Sequence, residues 1–325
     1  MAADRPLLGI VLMIGFCLLA PLGDSMAKLL GDNVPLVQVV ALRFSIQVVL
    51  LLPIVWITAR SLRMTRREYA LTALRTLFHI TGIAAMFLSL RYLPLADALA
   101  IAFVMPFIML LLGRFVLDEE VGPHRMAACA VGFVGILLVI QPNFQEVGAP
   151  ALLPLLVAVA FALFMLVTRK IAKAVDAVAL QTVSGGMAMV LLWPILLVFQ
   201  GSALAELDPL WPDARAWWLL AGMGLLGTLA HLLMTWSLRF APSATLAPMQ
   251  YLEIPFATLV GWWIFRDFPN GLALVGIAIT MAAGLYIVFR ERALSRQPVA
   301  PAPAPQPPGL AAAGSSASRG PASKS

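Results

Sequence analysis

Long apolar stretches, broken by short polar connections, dominate the chain. Runs of about 20 apolar residues are long enough to cross a bilayer as α-helices. They occur at 6–30, 34–57, 69–91, 94–115, 124–141, 151–169, 177–199, 216–238, 243–265 and 271–289, the fifth and sixth being short. The runs are continuous rather than alternating, which predicts an all-α integral membrane protein of ten transmembrane helices and not a β-barrel. Short connections predict a compact bundle with no separate soluble domain. Ser25-Met26-Ala27 resembles a signal-peptidase site. The apolar stretch runs on through Asp24, Met26 and Leu29, however, so the first helix is expected to be retained. After Arg296 the chain turns to Pro, Ala, Ser and Gly, and 297–325 is expected to be a disordered tail.

Composition agrees with the pattern. Hydrophobic residues make up 61% of the 325 positions and charged ones 12%. Mean hydropathy is +0.93. A soluble domain is near half apolar and a quarter charged. The net charge of +6 flanks the apolar runs, a sign of membrane topology rather than of nucleic-acid binding. With ten helices, Arg5, Arg60, Arg63, Arg66, Arg67, Arg114, Arg125, Arg169, Lys170, Lys173, Arg239, Arg290, Arg292 and Arg296 fall on one side. Only Arg91, Arg215 and Arg266 fall on the other, beside Asp32, Glu146, Glu206, Asp208 and Asp213. Both termini are therefore expected in the cytoplasm, with the protein multi-pass in a bacterial inner membrane. Cys17 and Cys129 lie inside apolar runs and follow no metal or disulfide pattern.

The two halves of the chain echo each other. Leu90-Arg91-Tyr92-Leu93-Pro94 is matched by Leu238-Arg239-Phe240-Ala241-Pro242. Pro106, Asp118, Gly122 and Gly135 then recur as Pro255, Asp267, Gly271 and Gly284. Five helices per copy is an odd number, so the second copy enters the membrane from the opposite face. Inverted repeats of this kind belong mainly to secondary transporters.

These motifs make the chain resemble the EamA-type carriers of the drug/metabolite transporter superfamily, over about residues 7–290. The Leu-Arg-aromatic-x-Pro motif, the acidic turns Asp118-Glu119-Glu120-Val121-Gly122 and Phe265-Arg266-Asp267-Phe268-Pro269, and the Gly-rich last helix of each half carry the resemblance. Gly23-Asp24-Ser25-Met26-Ala27-Lys28, Arg43-Phe44 and Gln250-Tyr251-Leu252-Glu253 resemble a subgroup that includes S-adenosylmethionine and riboflavin uptake carriers. The resemblance implies one EamA-like five-helix repeat over 6–141 and a second over 151–290. It implies alternating-access transport of a small polar metabolite, without setting direction, since the family also contains exporters.

Ionisable groups in hydrocarbon are costly and mark partners or water-filled cavities. Glu253 and Arg43 fall near the middle of their helices, where they either bind substrate charge or neutralise each other. Glu253 is the candidate carrier of a coupling proton. Asp24 and Lys28, four apart, share a helix face and either pair or line an outer vestibule. His79 and His231 are candidates to line the cavity. Gln250, Tyr251 and Trp236 are candidates to stack on and hydrogen-bond a planar ligand. Asp97 is a candidate gate, and Arg75 is expected to snorkel from its helix end. Trp217, Trp218, Trp262 and Trp263 suit an interfacial belt. Pro106 and Pro255 occupy matching places in the two halves, either as breaks that point to the binding region or as simple static kinks. Gly276, Thr280 and Gly284 form a close-packing face. No metal-ligand spacing, nucleophile elbow or phosphate loop appears, so neither an enzyme nor a cofactor is expected. Expected partners are a small-molecule substrate and the lipid bilayer, with a coupling proton and a homodimer left open. Nucleic acid is not expected. A channel or structural membrane subunit remains the competing class.

Overall fold

The computed structural model describes residues 5–30, 33–92, 101–140, 152–204, 206–266 and 271–295, and these are helical, with no strand. In order they form α1 (Pro6–Leu30), α2 (Leu36–Ile57), α3 (Arg66–Tyr92), α4 (Met105–Val116), α5 (Pro123–Ile140), α6 (Leu152–Ile171), α7 (Ala177–Val198) and α8 (Ala214–Phe240). There follow the short α9 (Ser243–Leu246), a 3-10 segment (Ala247–Leu252), α10 (Glu253–Phe265) and α11 (Gly271–Ser295). Asp97, Asp32, Glu146, the Asp267–Pro269 turn and the 297–325 tail lie outside the described residues.

Local chemistry sets several helix starts. Thr65 and Glu68 form a capping box at α3: Glu68 accepts from the Thr65 N–H at 2.7 Å, and Thr65 Oγ1 accepts from the Glu68 N–H at 3.2 Å. Asp176 caps α7 through the N–H groups of Val178 and Ala179. Asp213 caps α8 through that of Ala216.

Among the described residues, six helices are long and apolar enough to cross a membrane: Pro6–Leu30, Leu36–Ile57, Arg66–Ser89, Leu152–Ile171, Ala177–Val198 and Ala214–Phe240. The sixth expected span is one of these, with 20 residues, so it is not short. Apolar helices at Met105–Val116, Pro123–Leu138 and Leu274–Arg290 are shorter. Two expected continuous spans are interrupted. Phe103 and Val104 form a turn just before α4, and the ninth run changes from α to 3-10 and back. Each restart carries a proline in its first turn, Pro106 and Pro255, where a missing N–H costs least.

The packing pairs α1 with α8, α3 with α6, α2 with α7 and α5 with α11. Smaller contacts join α1 to α10 and α4 to α6, and α2 to α8 and α3 to α7. Small residues set the closest approaches. A Cβ on Gly135 of α5 would lie 2.9 Å from the Gly276 carbonyl and 3.0 Å from the Thr280 nitrogen of α11. The main core gathers Met13, Cys17, Phe103, Leu110, Phe164, Met234 and Tyr251 from both halves of the chain.

Candidate transport cavity

A cavity of about 140 Å³ opens between α1, α2, α3, α6, α8 and α10. Its polar wall consists of Asp24, Arg43, His231, Gln250 and Glu253, and its apolar wall includes Phe16, Phe87, Phe103 and Phe161. It extends toward the end of the bundle where α1 finishes and α8 begins. A second cavity in that direction shares Asp24, Phe103 and Glu253 and adds Lys28 and Phe265.

The 3-10 segment explains why Gln250 and Glu253 face the same space. Three residues per turn superimpose positions i and i+3. The same phase turns Tyr251 away, correcting the expectation that it lines the cavity with Gln250. Tyr251 is fully buried, packs against Gly132, lies 3.4 Å from Cys129 Sγ and donates to the Phe103 carbonyl. Trp236 is also removed from the cavity. It packs beside Leu51, Val55 and Leu232.

Arg43 and Glu253 do not form an ion pair with each other. The carboxylate that attracts Arg43 is Asp24. The Arg43 guanidinium is 3.3 Å from His231 Nδ1 and 3.5 Å from His79 Nε2. Gly227 gives it room, since a Cβ there would lie 2.9 Å from Arg43 Nε. The two imidazoles meet Nε2 to Nε2 at 2.9 Å, and His231 Nδ1 lies 2.9 Å from the Gly227 carbonyl. Across the Nε2–Nε2 contact one ring must donate and the other accept. His79 Nδ1 has no partner. His79 thus backs the cavity wall through Arg43 and His231 rather than lining it. Lys28 does not pair with Asp24 either; its ammonium stands 4.3 Å from the centre of the Phe265 ring.

Arg75 departs furthest from expectation. Its side chain is fully buried and does not snorkel. The guanidinium donates to Thr168 (2.8 Å), Ser184 (3.1 Å) and Thr235 (3.4 Å), and stacks 4.4 Å from the Phe164 ring centre. This layer lies beyond the cavity, toward the end where α8 finishes. At that end Glu119 accepts from the Ser243 and Ala244 N–H groups (3.1 and 3.0 Å), from the Ser243 hydroxyl, and from Arg169 Nε (3.2 Å). Arg169 also donates to the Leu238 carbonyl at 2.7 Å. One carboxylate so ties the α4–α5 connection to α6 and to the α8–α9 corner.

The model of the EamA-like transporter family matches the chain twice, at residues 7–141 and 149–290. The chain belongs to this family. EamA relatives include a riboflavin transporter of Rhizobium johnstonii, 32% identical over 243 residues, covering 71% of this chain and 78% of the relative. An S-adenosylmethionine uptake transporter of Rickettsia felis is 26% identical, covering 84% and 90%. A riboflavin transporter of Brucella anthropi is 26% identical, covering 81% and 92%. A solved crystal structure superposes with a TM-score of 0.70 over 88% of this chain and 98% of that one, at 19% identity, which concerns the fold alone. This EamA chain is therefore a membrane-spanning transporter, and its family and relatives are transporters rather than enzymes.

Proposed function

We propose that the chain is a secondary transporter that takes up a small polar metabolite by alternating access, with riboflavin and S-adenosylmethionine as the first substrates to test. The observation that carries this reading is the cavity. It gathers two carboxylates, Asp24 and Glu253, and one guanidinium, Arg43, inside apolar helices. Charges in hydrocarbon need partners or water, and a cavity between the helices provides room for both.

The reading includes ten spans arranged as two inverted five-helix repeats, 6–141 and 151–290, with both termini cytoplasmic in a bacterial inner membrane. The helix pairing supports it. Exchanging the first five spans with the second five converts the α1–α8 contact into the α6–α3 contact. It likewise converts α2–α8 into α7–α3, and α1–α10 into α6–α4, while mapping α2–α7 and α5–α11 onto themselves. The breaks before α4 and α10 fall at corresponding places and both border the cavity, as interrupted helices do at transporter sites. The names of the relatives support the substrate class and the inward direction. Glu253 is assigned the coupling proton, because its neutral form is the one that hydrocarbon tolerates.

The test is counterflow in proteoliposomes holding the purified chain. Saturable exchange of riboflavin or S-adenosylmethionine is expected, with net uptake when a proton gradient is imposed. Glu253→Gln should abolish gradient-driven uptake and leave exchange. Non-saturable flux without counterflow would mark a pore, and driven uptake that survives in Glu253→Gln would remove the proton from Glu253.

A further inference from the structure

Gln250 has an amide with no hydrogen-bond partner on either its nitrogen or its oxygen, and the residue is 1% exposed. His79 Nδ1 and Thr245 Oγ1 are likewise orphaned. Neither residue borders the cavity, whereas Gln250 does. Leaving a buried hydrogen bond unmade costs the full desolvation of the group. Methionine would fill this wall without that cost, and Met105, Met165, Met223 and Met234 already do so elsewhere around the cavity.

We propose that Gln250 reads the substrate: its amide, buried in the cavity wall, turns toward the cavity to pair with a neutral edge of a flat ring that presents an acceptor beside a donor. This rests on the transport reading above and narrows its substrate class. Three observations select the chemistry. Both halves of the amide are unpaired, so the complement must both donate and accept. Glu253 lies one 3-10 turn away on the same face, so in its ionised form it repels an anionic group from this wall. A cationic group is drawn instead to Asp24 and Glu253, which leaves the Gln250 donor unused. The Phe16, Phe103 and Phe161 rings bordering the same space supply faces and edges for a flat ring. The second cavity beyond Asp24 and Glu253, with Lys28, is where a polar or charged tail attached to that ring extends.

The test measures binding to the full chain in detergent or nanodiscs, with two probes: riboflavin, whose imide edge has a donor between acceptors, and riboflavin methylated on the imide nitrogen. Wild-type protein should bind riboflavin at least about tenfold more tightly than the methylated probe, the equivalent of one hydrogen bond. Gln250→Met, of similar shape and apolar, should bring the two affinities together. Gln250→Leu, checked for a monodisperse gel-filtration profile, should do the same. Equal affinity of wild-type protein for both probes overturns the proposal whatever the variants do. Discrimination retained in Gln250→Met overturns it too, while transport itself stands. If wild-type protein binds neither riboflavin nor S-adenosylmethionine and shows no counterflow of either, the substrate reading fails and this proposal fails with it.

Discussion

At the scale of single residues, identity was legible and facing was not. Charged positions in apolar runs pointed to Asp24, Arg43 and Glu253, and all three border one cavity. Tyr251 was misplaced because a continuous α-helix and a 3-10 segment put neighbouring side chains at different angles, and no local signal distinguishes the two over six residues. Arg75 was misplaced because its partners are ordinary hydroxyls on three other helices. Ser and Thr in helices usually bond back to their own backbone, as Thr168 and Thr235 also do. Asp176, outside the spans, yields a pH prediction. Burial alone would raise its pKa, but the Arg60 hydrogen bond, the Ala179 N–H, the Arg60 charge and the Val178 N–H outweigh it. The carboxylate is held below its ordinary range. A lowered folded pKa means stability present above the unfolded value of about 3.9 and lost as pH falls through the folded one. Asp176→Ala should cost about 1 kcal/mol, mostly from the lost helix cap, since the half-exposed ion pair adds little. Melting temperatures in detergent should decline less steeply toward acid in Asp176→Ala than in the wild type; parallel acid limbs would count against this account.

At the scale of elements, hydropathy located the helices well and their continuity badly. Pro106 and Pro255 pointed to breaks in matching runs, and each lies in the first turn after an interruption. The acidic turn after α4 served as a family motif in the sequence, and its mechanical role emerged only from folding. Glu119 reaches the backbone of Ser243 and Ala244 and the side chain of Arg169, residues far away in sequence. Glu119→Ala should leave those N–H groups and Arg169 without their acceptor and favour opening at that end. The measurement is labelling by a water-soluble maleimide of a single cysteine at Met165 on the cavity wall, in a Cys17→Ala/Cys129→Ala background. Labelling from the Glu119 end should accelerate several-fold in Glu119→Ala, and an unchanged rate would mean the tie does not hold that end closed.

At the scale of the whole molecule, the uneven charge predicts an orientation with both termini cytoplasmic. Arg60, Arg63, Arg66 and Arg67 lie at one end, and Glu206, Asp208 and Asp213 lie in the α7–α8 connection at the other. In the same cysteine-free background, an impermeant maleimide applied to intact spheroplasts should label Ala203→Cys directly and Ser61→Cys only after permeabilisation. The reverse pattern would invert the topology. The sequence by itself determined the membrane class, the apolar spans, the uneven distribution of basic residues and the family, because each is a property of composition or order along the chain. Only the tertiary structure decided which charges share a cavity, which segments Glu119 ties together, and that Gln250 rather than Tyr251 borders the cavity. Those depend on helix phase and on contacts between distant segments. In a bundle where nearly every side of every helix is apolar, periodicity along one helix cannot say which side meets protein and which meets lipid.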